Sequence, residues 1–200
     1  HLTNVTFDIF KSLIQLLVLN VSGNQLSSLP DFSSQLNLKV LDLGRNKLHT
    51  IEPFSFDGLT SLEFVSIQQN LLFKLQQESF FQIAKIIVLD LSHNMLTNIT
   101  TGLLTHQESL LYLKIDHNNI TDIEPSSLDK LSKLKHLDVS NNMLGFLGDH
   151  VLQGLDQLKI LNMSNNFIYI IAANAFINRT NLTTVDLRGN QMLQVTSDSF

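Results

Sequence analysis

Residues 89–99 read LDLSHNMLTNI. Leu89 and Leu91 alternate as side chains do in a strand, but Asn94, Leu96 and Ile99 follow at spacings that suit neither strand nor helix. Near-copies stand at Leu41 (LDLGRNKLHTI), Leu113 (LKIDHNNITDI), Leu137 (LDVSNNMLGFL) and Leu161 (LNMSNNFIYII). The central asparagine recurs as Asn24, Asn46, Asn70, Asn94, Asn118, Asn142, Asn166 and Asn190. The first interval is 22 residues and every later one is 24. A fixed period of this size marks a solenoid, in which each unit buries its apolar face only against its neighbours.

Aligned on the asparagine, the unit reads LxxLxLxxNxLxxLxxxxFxxLxx. Position four is Leu19, Leu41, Val65, Leu89, Leu113, Leu137, Leu161 and Val185, and position six is equally apolar, from Val21 to Leu187. Two residues apart on a strand, they point the same way, so each unit supplies one short strand and stacked units build a parallel sheet. The chain must turn away after position six, which strands backbone groups inside the solenoid. An asparagine amide, with two donors and an acceptor, can pair them, and the eight asparagines are expected to form a buried structural ladder. Position nineteen carries Phe10, Phe32, Phe56, Phe80, Leu104, Leu128, Leu152, Phe176 and Phe200, a column of large side chains opposite the sheet. Position twenty-two is apolar except at Gln35, Gln107 and Arg179, which predicts looser loops in those turns.

The pattern resembles the leucine-rich repeat family in its 24-residue animal extracellular form, over the whole chain. The resemblance implies an α/β-type repeat solenoid: a horseshoe with a concave parallel β-sheet and an irregular or short-helical convex side. Residues 1–200 are then a single solenoid segment, with a partial repeat over 1–15 and eight repeats, one strand each, starting at 16, 38, 62, 86, 110, 134, 158 and 182. Both ends fall inside repeats and neither carries a cysteine-rich cap, which reads as an interior segment of a longer ectodomain.

Composition narrows the function. The formal net charge is −5 with acids and bases interspersed, which argues against nucleic acid and against an anionic membrane surface. No apolar run approaches the ~20 residues of a membrane span, so no direct membrane insertion is expected of this segment. Cysteine is absent, which removes disulfides, thiol nucleophiles and thiolate metal sites. There is no Gly-rich phosphate loop and no His-x-x-x-His; no catalytic residue, no cofactor and no metal ligand set is assigned. Asp42, Asp90, Asp138 and Asp186 form a column at position five, read as structural rather than cation-binding. His93 and His117, at position eight of adjacent repeats, read as a solvated rim pair. N-x-Ser/Thr sequons at Asn4, Asn20, Asn98, Asn119, Asn162, Asn178 and Asn181 point to an extracellular or cell-surface location.

Function must then come from surface. Positions three, five and seven face outward from the sheet, and Phe64, Gln68, Tyr112, Lys114, Asp116 and His136 depart there from the bland consensus; Phe64 and Tyr112 are expected to be exposed aromatics. Positions ten, twelve and thirteen lie on the lateral face after the asparagine, where Met143, Phe146, Phe167, Tyr169, Ile170 and Leu193 cluster in the last three repeats. The resemblance to Toll and Toll-like receptor ectodomains implies ligand recognition on one surface and dimerisation on the lateral one. Expected partners are a protein ligand or receptor partner and a second copy of the chain. A chaoptin-type adhesion protein and a structural spacer solenoid are the alternatives.

Overall fold

The computed structural model describes residues 10–193. Eight three-residue strands, Val18–Asn20, Val40–Asp42, Phe64–Ser66, Val88–Asp90, Tyr112–Lys114, His136–Asp138, Ile160–Asn162 and Thr184–Asp186, form one parallel sheet in sequence order. Each strand pairs in register with the equivalent residues of the next repeat, so Leu41, Val65, Leu89 and Leu113 lie side by side. The molecule is a parallel-strand solenoid, as the period requires. No helix occurs among the described residues; the side opposite the sheet is built of turns.

The core is a stack of like residues. Positions one, four, six and eleven are buried throughout the middle turns, as at Ile86, Leu89, Leu91 and Leu96. Position nineteen is buried at Phe32, Phe56, Phe80, Leu104, Leu128, Leu152 and Phe176, and Phe56 stacks on Phe80 with centroids 5.7 Å apart. Each such side chain contributes about 1.5–3 kcal/mol by leaving water. Phe200 lies outside the described residues.

The asparagines pair the interior backbone. Asn118 Nδ2 donates to the carbonyls of Ile115 at 3.0 Å, Asp116 at 3.1 Å and Leu91, in the preceding turn, at 3.1 Å. Its Oδ1 accepts the Leu96 N–H at 3.0 Å. The same set repeats at Asn46, Asn70, Asn94, Asn142 and Asn166, and these six are buried, whereas Asn24 and Asn190, in the end turns of the described residues, are half-buried. The position-six carbonyl is shared: Leu91 O accepts from both Asn94 and Asn118.

Three features depart from the sequence reading or add to it. Positions thirteen and fourteen form a second set of short parallel ribbons: Thr50–Ile51 with Lys74–Leu75, Asn98–Ile99 with Asp122–Ile123, and Phe146–Leu147 with Ile170–Ile171. Their signal was the run of Ile or Leu at position fourteen from Leu29 to Ile171, buried in each of these ribbon strands. Position eight is left-handed in turn after turn, with φ of 52–54° at Arg45, Gln69, His93, His117, Asn141 and Asn165, because the chain must swing off the sheet within two residues of the asparagine.

The third is a correction. Gln35, Gln107 and Arg179 do not loosen their turns. Gln35 and Gln107 are fully buried, and their Nε2 atoms donate at 2.7 Å to the carbonyls of Phe10 and Phe80, the position-nineteen residues of the preceding turn. Arg179 Nη1 reaches the equivalent carbonyl of Leu152 at 3.2 Å. A polar side chain there acts as a tie between turns.

Two stability outcomes follow from this pairing. Asn118→Ala leaves the Leu96 N–H unpaired, while Leu91 O and Ile115 O keep the amides of Asn94 and Asn142; the expected loss is ~1–3 kcal/mol. Asn118→Asp costs more, because a carboxylate then faces three carbonyl oxygens. Urea unfolding should rank wild type above Ala above Asp, and an Asp variant as stable as wild type would contradict the donor role. Gln107→Leu is expected to change stability by less than ~1 kcal/mol, since Phe80 O retains the Ile83 N–H and leucine already fills this position at Leu59 and Leu131.

Candidate functional site

Position five explains itself through the turn that follows. Asp42 Oδ1 accepts the Gly44 N–H at 2.9 Å, Asp90 accepts the N–H and hydroxyl of Ser92, and Asp138 accepts the Ser140 N–H. A short acidic side chain bonding to the backbone two residues on is an Asx turn, so the column is structural. At the C-terminal end, hydrogen bonds from the Arg188 guanidinium and backbone N–H hold the Asp186 carboxyl down to about 2. With the position-five aspartates and the Gly or Ser two residues on engaged in that turn, position three, and position seven where it is Gln68 or Asp116, are left at the sheet face.

Those positions converge on adjacent strands. Tyr112 is 42% exposed, pairs in register with Val88 and His136, and lies 6.2 Å from the His136 ring. Lys114, which stands where other repeats have the aspartate, is exposed one pleat further on, and Asp116 is half-buried beyond it. Phe64 corrects the sequence reading: it is half-buried, in register between Val40 and Val88. Gln68 is also half-buried, and its Cγ lies against Gly44 of the preceding turn, where a Cβ would sit only 3.1 Å away. The window is thus centred on the fourth to sixth strands, with Phe64 and Gln68 at its edge.

The lateral face carries the larger apolar surface. Phe146 and Ile170 are register partners in the last of the short ribbons. The outward position of a ribbon has no layer above it, so Phe146, 52% exposed, and Ile170 are exposed; Phe167 is 51% exposed and Leu193 85%, with Met143 and Tyr169 also exposed, at positions ten and twelve beside the ribbon. Gly145 opens the space for the Tyr169 ring: a Cβ at residue 145 would meet Tyr169 Cε1 at 3.3 Å. Beneath Phe146 a cleft of about 90 Å³ runs between Ile123, Leu144 and Val151. Two exposed residues at the same positions of earlier repeats, Phe73 and Met95, were missed in the sequence because they stand singly. So was the convex pair Phe54 and Phe81, whose rings meet edge to face at 6.3 Å.

The sequons divide by what their amide nitrogens do. Asn20, Asn98, Asn119 and Asn178 are exposed. Asn162 is half-buried and donates from Nδ2 to Asp138 Oδ2 at 3.0 Å, while its Oδ1 accepts from Ser164. Asn181 Nδ2 donates to the Asp156 carbonyl at 2.7 Å. Asn4 lies outside the described residues. No helix of the described residues is long and apolar enough to cross a membrane.

Comparison with solved structures places this geometry among known solenoids. The fold matches the Toll ectodomain in the glycosylated Toll–Spatzle complex of Drosophila at a TM-score of 0.87 and 22% identity, over 98% of this chain and 32% of that one. It matches TLR13 in its complex with ssRNA13 at 0.72 and 28%, over 90% of this chain and 30% of that one. A leucine-rich repeat protein of Leptospira interrogans gives 0.83 and 28%, over 98% and 48%. The chain therefore spans about a third to a half of the proteins it resembles. No curated protein matches it in sequence. The model of the Leucine rich repeat family matches residues 31–72, 65–120, 88–144 and 132–192, and with its period, its asparagine ladder and its parallel sheet the chain belongs to the leucine-rich repeat family.

Proposed function

We propose that the chain is a protein-recognition segment of an extracellular, receptor-type leucine-rich repeat ectodomain. The observation that carries this reading is the cluster of Met143, Phe146, Phe167, Tyr169, Ile170 and Leu193, all exposed on one lateral face. Contiguous apolar surface of this kind marks an interface, and its aromatic content is that of binding hot spots. It suits self-association, since a C2 interface presents the same patch twice. The window of Tyr112, Lys114, Asp116 and His136, with Phe64 and Gln68 at its edge, suits a ligand: its side chains stand on a paired sheet, so little ordering entropy opposes binding.

A binding role rather than a catalytic one accords with the fold, and a protein is the favoured ligand. Toll in its solved complex holds Spatzle, whereas TLR13 holds RNA; here the net charge of −5 and the acidic column on the sheet disfavour a polyanion. An adhesion protein built on the same two surfaces is the second reading, favoured by the same apolar cluster.

The two faces separate by mutation. Phe167→Ser with Tyr169→Ser is expected to weaken self-association roughly tenfold or more, while Lys114→Glu with Tyr112→Ala leaves it intact and weakens capture of a protein ligand by a similar factor. Sedimentation and surface-plasmon binding read the two quantities. If neither pair changes any association, the segment is a spacer.

Glycans test the extracellular assignment. In protein made through a eukaryotic secretory pathway, peptide mapping should find occupancy at Asn98, Asn119 and Asn178, which are exposed. A glycan on Asn162 would break the bond from its amide nitrogen to Asp138. Bare asparagine at Asn98, Asn119 and Asn178 together would remove the support for an extracellular location.

A further inference from the structure

The histidines at position eight are exposed at the rim, as the sequence suggested, and they also contact each other. Both take the left-handed backbone, with φ of 53° at His93 and 52° at His117, so their side chains leave adjacent turns in the same direction. The rings stack, with centroids 4.1 Å apart and planes 17° from parallel. Elsewhere along this column a different side-chain pairing occurs, as where Arg45 Nε donates to Gln69 Oε1 at 2.7 Å. A third group joins the histidines from position seven: Asp116 Oδ2 lies 2.8 Å from His117 Nδ1. One ligating atom from each of His93, Asp116 and His117 lies within 4.8 Å of the other two.

We propose that these three residues form a zinc site at the rim of the sheet. Ligands of tetrahedral zinc sit about 2.0–2.1 Å from the ion and hence ~3.3 Å from each other. The His117–Asp116 pair is already near that separation. The ligating atom of His93 already lies within 4.8 Å of the other two, so it must close by at most ~1.5 Å, and the two rings must tilt from parallel to converge on one point; both rings are exposed, so only their mutual stacking opposes the rotation. Two imidazoles and one carboxylate are a borderline nitrogen and oxygen set that suits zinc over magnesium or calcium. Three protein ligands leave the fourth position for water or for a group on a docked molecule. Asp116 also belongs to the sheet window beside Tyr112 and Lys114, so an ion here would offer a carboxylate or imidazole of a partner a direct bond at the edge of that surface. Binding of the ion itself needs no partner, so the site is independent of the recognition reading.

The test is calorimetric titration of zinc chloride into the full chain, stripped of metal, in a non-chelating buffer. One ion per chain is expected, with affinity reduced roughly tenfold or more in His93→Gln, in His117→Gln and in Asp116→Asn. Thermal melts of the two histidine variants without zinc should match wild type, since the histidines are exposed. In wild type, NMR of the seven histidine rings should show zinc shifting His93 and His117 and leaving the other five in place. Absence of saturable binding overturns the proposal. So do binding that survives the double histidine variant and zinc shifts confined to other histidines.

Discussion

An N–H buried without a partner costs ~1–3 kcal/mol, and this fold would strand one in every turn. The chain leaves the sheet after position six, before the next ribbon begins, and the groups between face inward. The asparagine amide meets them with donors and an acceptor on one short side chain. Because Leu91 O is held by both Asn94 and Asn118, the ladder also couples each turn to the next. Neighbour coupling of this sort is what makes a solenoid cooperative in one dimension. Neither serine nor aspartate can take the place of asparagine: serine has one donor, and aspartate has none when ionised.

That constraint divides the surface. Inward positions are committed to the core, position nine to the ladder, and position five, where it is aspartate, to the Asx turn that starts the reversal. On the sheet face position three remains to vary, and position seven does where it is not the buried serine that closes the Asx turn, as at Ser92, Ser140 and Ser164; Tyr112 and Asp116, on either side of Lys114, are the residues proposed for recognition. On the lateral face the ribbons commit position fourteen inward and release position thirteen outward, which exposes Phe146 and Ile170 together. The left-handed step at position eight creates a third column, along which His93 and His117 meet.

The three surfaces lie close in the repeat order. The sheet window is centred on the fifth repeat and the histidine cluster joins the fourth and fifth. The apolar lateral cluster begins in the sixth and runs to Leu193, the last described residue. The exposed sequons Asn98 and Asn119 occupy the lateral positions just ahead of that cluster, so glycans there would bound the apolar face on one side and leave the sheet window open.

The period, the strand at positions three to five, the buried asparagines and the aromatic column were legible in the chain itself, because repetition turns one ambiguous eleven-residue pattern into eight aligned copies. The lateral cluster was legible too, since its residues stand at positions that are mostly polar in the earlier repeats. What repetition could not supply was the environment of a residue that differs from its equivalents. Phe64 is flanked by Val40 and Val88 and is half-buried; Tyr112 stands on the same position and is exposed. Gln35 and Gln107 look like breaks in an apolar column, yet they bridge to Phe10 O and Phe80 O. Asn162 carries a sequon spelled like the others, but Asp138 holds its amide. Each of these outcomes depends on atoms about one repeat away along the chain, brought within hydrogen-bond or van der Waals reach only when the turns stack, and only the tertiary structure decides them.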